Sequence, residues 1–195
     1  MIVAKRDPTD VPASDSAGNR DATHVIQVMA GLADRNANLF RRLGLPLGDP
    51  AAWVQLPDGK KVGIVRDLEM DRVRAAGRLD SVQCPSDFPP LSGSASGDRE
   101  TASAQSVVRF LQTHGIDRVT VDRALPFIYA FHLAESGIAL AYDDDLGVID
   151  RRVKTEAEIE SLRAAQAVTE SVMRQLCEMI ATADVDATGR LMKDG

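Results

Sequence analysis

The feature that most constrains this chain lies near its end. Residues 155–183, TEAEIESLRAAQAVTESVMRQLCEMIATA, contain neither Gly nor Pro. Apolar residues recur at Ile159, Leu162, Ala165, Val168, Val172, Leu176 and Met179 or Ile180, steps of three and four that mark one face of an α-helix. Thr155 is a suitable N-cap, and Glu158 three places on completes a capping box. Glu170, Arg174 and Glu178 stand four apart on another face, where neighbouring pairs add support. A helix this long draws most of its stability from packing its apolar face, so the stripe predicts a surface that covers it. The chain runs only to Gly195. The residues alone leave two readings open: a helix folded back on its own domain, which they favour, and a second domain opened by residues 151–195 and truncated here.

The chain has 195 residues, of which 44% are hydrophobic, enough to bury one proper core. Its net charge of −6 is spread through mixed acidic and basic residues, which argues against a nucleic-acid or anionic-membrane surface. Cys84 and Cys177 lie far apart without a CxxC spacing and read as reduced thiols. No apolar run reaches the roughly 18 residues of a membrane span. Residues 1–22 are polar and lack the apolar segment of a secretory signal. A flexible leader and a cytoplasmic location are therefore expected.

Between leader and long helix the chain reads as one domain over residues 23–150. Thr23 to Leu43 is expected to be a helix, with Val25, Val28, Met29, Leu32, Leu39, Phe40 and Leu43 available for burial and Gly44 as its stop. The segments AWVQL and KKVGIVR flank Pro57-Asp58-Gly59, a hairpin signal. DLEMDRVRAAG reads as a short helix and LDSVQC as a strand. Residues 84–98 are rich in Pro, Ser and Gly and read as a surface loop. A helix over 100–114 then stops at Gly115 before the strand IDRVTVD. A second helix from Pro126 stops at Gly137 before IALAYD. Helix, glycine, isoleucine, strand thus occurs twice. That rhythm predicts an α/β fold, a mixed β-sheet flanked by helices.

Residues that carry chemistry are sparse. His24, His114 and His132 have no partner at a ligand-like spacing, and His114 stands where it would cap a helix. Asp143-Asp144-Asp145 point different ways along a strand exit and read as a solvated turn, as do Asp184 and Asp186. Ser94 and Ser96 have no evident base, and Trp53 reads as a core anchor. No GxSxG, GxxxxGK[ST], HExxH or GxGxxG occurs. No catalytic and no metal-ligating residue is assigned.

The junction itself carries a resemblance. Arg151-x-Val153-Lys154-Thr155-x-x-Glu158-Ile159-x-x-Leu162-Arg163-x-Ala165 closely resembles the segment that joins the two domains of creatinase, prolidase and Xaa-Pro aminopeptidase proteins. Leu39-Phe40-Arg41-Arg42-Leu43, Asp49-Pro50, Asp67-Leu68-Glu69-x-x-Arg72 and Gly115-Ile116-Asp117-x-Val119-x-Val121-Asp122 follow the order of that family's N-terminal domain. A Tyr-Leu-Thr-Gly stretch and a Gly-x-Thr-Glu after the long helix, frequent in the family, are missing. The resemblance implies a creatinase/prolidase-type N-terminal domain followed by the first helix of a truncated pita-bread catalytic domain. Arg151, Lys154, Thr155, Glu158, Ile159 and Leu162 would be structural residues of the junction. It further implies a cytoplasmic metallopeptidase cleaving short proline-containing peptides, in which the N-terminal domain serves subunit assembly and restricts substrate access. Two divalent ions (manganese, cobalt or zinc) would be held by two Asp, one His and two Glu of the catalytic domain and by nothing in this segment. The implied partners are that catalytic domain and a second subunit, as in a homodimer. A creatinase-like amidinohydrolase and a non-enzymatic peptidase-like binding module are the alternatives.

Overall fold

The computed structural model describes residues 25–91 and 93–192. Its centre is a six-stranded mixed sheet in the order β4-β3-β2-β1-β5-β6. The strands are β1 (Gln27–Leu32), β2 (Pro50–Gln55), β3 (Lys61–Ile64), β4 (Ser81–Gln83), β5 (Arg118–Val121) and β6 (Ala139–Tyr142). β1 pairs antiparallel with β2, and β2 with β3. The pairs β1–β5, β3–β4 and β5–β6 are parallel. Helices α1 (Ala37–Leu43) and α2 (Asp67–Ala75) cover one face, and α3 (Arg99–Thr113) and α4 (Phe127–Glu135) cover the other. The α/β layering expected from the helix–strand rhythm is therefore present.

The first element overturns an expectation. Residues 25–43 are not one helix, because β1 occupies the first half and α1 begins only after Asn36; Thr23 and His24 lie outside the described residues. The apolar steps that suggested a helix have a different cause. β1 is central, so both its faces are buried: Val28 and Ala30 enter the core under α3 and α4, while Met29 enters the core under α1. A strand buried on both sides shows a continuous apolar run without alternation, and short runs of that kind mimic a helix. Asn36 then caps α1, accepting hydrogen bonds from the backbone N–H of Asn38 and Leu39. Gly44, in the left-handed region at φ 87°, ends α1 as the sequence suggests.

β2 follows the same two-faced pattern, Ala52 and Val54 on one side and Ala51 and Trp53 on the other. The β2–β3 hairpin turns at Asp58, whose carboxylate accepts from the N–H of Lys60. The two helix–Gly–Ile stops share one geometry. Ile116 N–H donates to Leu111 C=O at 2.9 Å, and Ile138 N–H donates to Leu133 C=O at 3.0 Å. Gly115 and Gly137 take positive φ, and each isoleucine is then buried against the helix it leaves. The described residues of 84–98 form a largely exposed loop with a 3-10 turn over Pro85–Asp87, and Phe88 packs its ring edge-on against Phe110. Asp143 caps the turn after β6 by accepting from Asp145 N–H.

A short helix, α5 (Val148–Arg152), precedes the long one; the sequence gives it no period of its own. α6 spans Glu156–Thr182. After it, Asp184 and Asp186 were expected in a plain exit loop, but the chain forms a small hairpin of β7 (Asp184–Val185) and β8 (Leu191–Met192). Asp186 organises that turn by accepting from the N–H groups of Thr188 and Arg190. No described helix is long and apolar enough to cross a membrane.

Candidate functional site

The chemically distinctive region is the joint where α6 leaves the α/β domain. Thr155 caps α6: its hydroxyl accepts from Glu158 N–H at 3.3 Å, and its own N–H donates to Glu158 Oε2 at 2.7 Å. Both halves of the expected capping box are therefore made. Arg41, on α1, holds this turn from the other side. Its guanidinium donates to the carbonyls of Asp150 and Val153 and lies 3.6 Å from Glu158 Oε2. The carbonyls at the end of a helix lack intrahelical partners, so a cation placed there satisfies hydrogen bonds and opposes the helix dipole together. The Thr155 N–H is the main influence holding the Glu158 carboxyl below its ordinary range, and the charges of Arg41 and Arg78 add to it.

Beneath this turn lies a buried polar network. The Asn38 amide donates to Asp122 Oδ2 at 2.7 Å and to the Leu146 carbonyl at 3.3 Å, and its oxygen accepts from Arg151 Nε at 2.7 Å. Asn38 is 3% exposed and Asp122 2%. Both N–H groups of the amide and its oxygen are thus engaged, as a buried amide requires. Asp122 fares less well, because its Oδ1 has no hydrogen-bond partner among the described residues. Burial pushes its carboxyl above the ordinary range, and the Asn38 hydrogen bond only partly opposes this. Gly147 passes close by in the left-handed region at φ 73°, where a Cβ would fall 2.8 Å from Asn38 Cγ. Alongside, Arg42 binds Asp150 at 2.6 Å and lies over the Trp53 ring at 4.7 Å from its centroid.

Between α1 and the first turns of α6 lies a cleft of about 640 Å³. Ala37, Phe40, Ala157 and Leu162 are its apolar lining, and Arg41, Arg78, Arg151 and Lys154 line it too. Of the six junction residues named from the sequence, Arg151, Lys154, Thr155, Glu158 and Leu162 line this cleft. Ile159 is half-buried one turn on, beside Leu162 and Gln166. Lys154 Nζ donates to the Arg151 carbonyl at 2.5 Å. Sequence reading did not find Asn38, Asp122 or Arg78 as parts of this site. The strings that contain Arg41 and Asp122 were visible, but nothing local says that Arg41 reaches the Val153 carbonyl or that Asp122 accepts from Asn38.

Beyond the cleft α6 stands away from the domain. None of its residues is buried, and Val168, Val172, Leu176 and Ile180 are each about half exposed or more. The stripe continues onto Val185 and Leu191 of the terminal hairpin, which are also exposed. Among the described residues no three His, Cys, Asp or Glu side chains converge as metal ligands. His114 caps α3, its Nδ1 lying 2.8 Å from the Phe110 carbonyl, and His132 is half-buried on α4. Cys84 and Cys177 are free thiols.

No family model matches the chain, and no curated protein matches it in sequence. Among solved structures it is similar to a dipeptidase from Pyrococcus horikoshii OT3, at 14% identity and a TM-score of 0.51. That match covers 76% of this chain and 40% of the dipeptidase chain. It is also similar to the aminopeptidase P, an Xaa-Pro aminopeptidase, from Streptococcus thermophilus, at 12% identity and a TM-score of 0.45, over 65% of this chain and 84% of that one. At 14% identity the likeness to the dipeptidase shows a shared fold alone.

Proposed function

We propose that residues 23–150 are the N-terminal domain of a metal-dependent Xaa-Pro peptidase of the creatinase/prolidase type, and that α6 is the first helix of its catalytic domain. The observation that carries this reading is the state of α6: a 27-residue helix, capped and anchored at one end, with its apolar face open along its length. A face of this kind is built to be covered. The mixed sheet shared with the dipeptidase, and the junction residues gathered at the anchored end, support the same reading.

In this reading the chain is not the catalyst. Two divalent ions, manganese, cobalt or zinc, would supply an activated water and polarise the scissile carbonyl from ligands in the domain that covers α6. The α/β domain would help assemble a homodimer in the cytoplasm and narrow the approach to the site, admitting short proline-containing peptides.

Two measurements test the proposal. The 195-residue chain with manganese should hydrolyse an Xaa-Pro peptide no faster than a metal-free blank, and turnover above that blank would overturn the division of labour. The coding sequence following Gly195 should supply two Asp, one His and two Glu. A stop codon there would overturn the reading, and replacement of those ligands would move it to an amidinohydrolase.

A further inference from the structure

The junction cleft has the makings of a ligand site in the 195-residue chain. Its volume of about 640 Å³ falls in the range of small-molecule sites, which are mostly apolar with a few placed polar groups. Here the apolar part is Ala37, Phe40, Ala157 and Leu162, and Phe40 is 42% exposed on α1, whose Leu39 and Leu43 are buried. The charged part is one-sided: Arg41, Arg78, Arg151 and Lys154 line the cleft against a single carboxylate, Glu158, in a chain whose net charge is −6.

These cations differ in what already engages them. Arg41 is committed to the Asp150 and Val153 carbonyls and to Glu158. Arg151 uses only its Nε, on Asn38, among the described residues, which leaves its terminal nitrogens available and its stem fixed. Arg78 has no carboxylate within ion-pair distance among the described residues and makes one long hydrogen bond, 3.4 Å, to the Arg41 carbonyl. Its stem rests where Gly44 lacks a side chain: a Cβ there would fall 2.8 Å from Arg78 Cδ and Nε. Two guanidinium groups with free N–H pairs, held by their stems at the mouth of an apolar cleft, form a receptor for an oxyanion on an apolar body.

We propose that this cleft binds a small amphiphilic oxyanion, its carboxylate or phosphate held by Arg78 and Arg151 and its apolar body seated on Phe40 and Leu162. The test is calorimetric titration of the 195-residue chain with phenylpropanoate, phenylethyl phosphate and the neutral phenylpropanamide, with amide shifts mapped by NMR. Phenylpropanoate or phenylethyl phosphate should bind, the tighter of the two identifying the oxyanion, and phenylpropanamide should bind about tenfold more weakly or worse. Arg78→Ala, at an exposed position whose loss should leave the circular dichroism unchanged, should weaken the anions about tenfold while leaving the amide unaffected. Phe40→Ala should weaken all three, and shifts should centre on Gly44, Ala157 and Ser161. Equal affinity for the amide, anion binding indifferent to Arg78→Ala, or shifts concentrated between Val168 and Ile180 would each overturn the proposal.

Discussion

Asp122 shows how a single buried group ties stability to pH. Its carboxyl titrates above the ordinary value of 3.8 in the folded chain because burial disfavours the charge. The folded state therefore holds this proton more tightly than the unfolded state does. Stability falls as pH rises from 3.8 through the raised folded value, the opposite of a salt-bridged aspartate. Asp122→Asn keeps an oxygen for the Asn38 amide and removes the charge. Urea denaturation at a series of pH values should show that decline flattened, with no loss of stability at pH 7; an unchanged pH slope would exclude Asp122 as its source. Gly147 offers a steric counterpart. An alanine there meets Asn38 Cγ at 2.8 Å and Met29 Cε at 3.0 Å at a φ of 73°. Gly147→Ala should cost about 1–3 kcal/mol by denaturant titration, through overpacking and backbone strain together. Gly147 carried no signal in the sequence and Asp122 only a place in a string, since their importance lies in neighbours far along the chain.

At the scale of elements, α6 and β1 sit at opposite ends of legibility. The bounds of α6, its cap and its apolar stripe all follow from spacings of three and four residues. Thr155→Ala removes the hydroxyl that accepts from Glu158 N–H and should weaken the first turn by about 0.5–2 kcal/mol. Because α6 packs so little, the loss belongs in hydrogen exchange: the amides of Glu158 and Ile159 should exchange faster while those of β1 and β2 stay unchanged. Equal acceleration in the sheet would mean that the cap supports the whole domain. β1 was misread because its local pattern is ambiguous. Which element a short apolar run becomes depends on what lies on either side of it, and here β2 and β5 flank it as partners. The paired helix–Gly–Ile stops were legible for the opposite reason, since their hydrogen bonds close within five residues.

For the whole molecule, the layered α/β domain and the open helix should behave as separate units. Val172→Glu with Leu176→Glu places charges in the exposed stripe, where nothing described packs against them. The double variant should lower concentration-dependent association by light scattering and the binding of an apolar dye, with the urea midpoint unchanged. A lowered midpoint would mean that the stripe already supports the fold. The sequence by itself determined what is local: the capped helix with one greasy face, the hairpin at Asp58-Gly59 and the alternation that makes a layered sheet. Backbone hydrogen bonding and side-chain periodicity act over a few residues, so a linear reading recovers them. Only the tertiary structure decided that β1 is the central strand. It alone brought Asn38 to Asp122 and to Arg151, 84 and 113 residues away, and left a cationic cleft where α1 meets α6. Contacts across such distances are set by how the sheet orders its strands, and no spacing along the chain encodes that order.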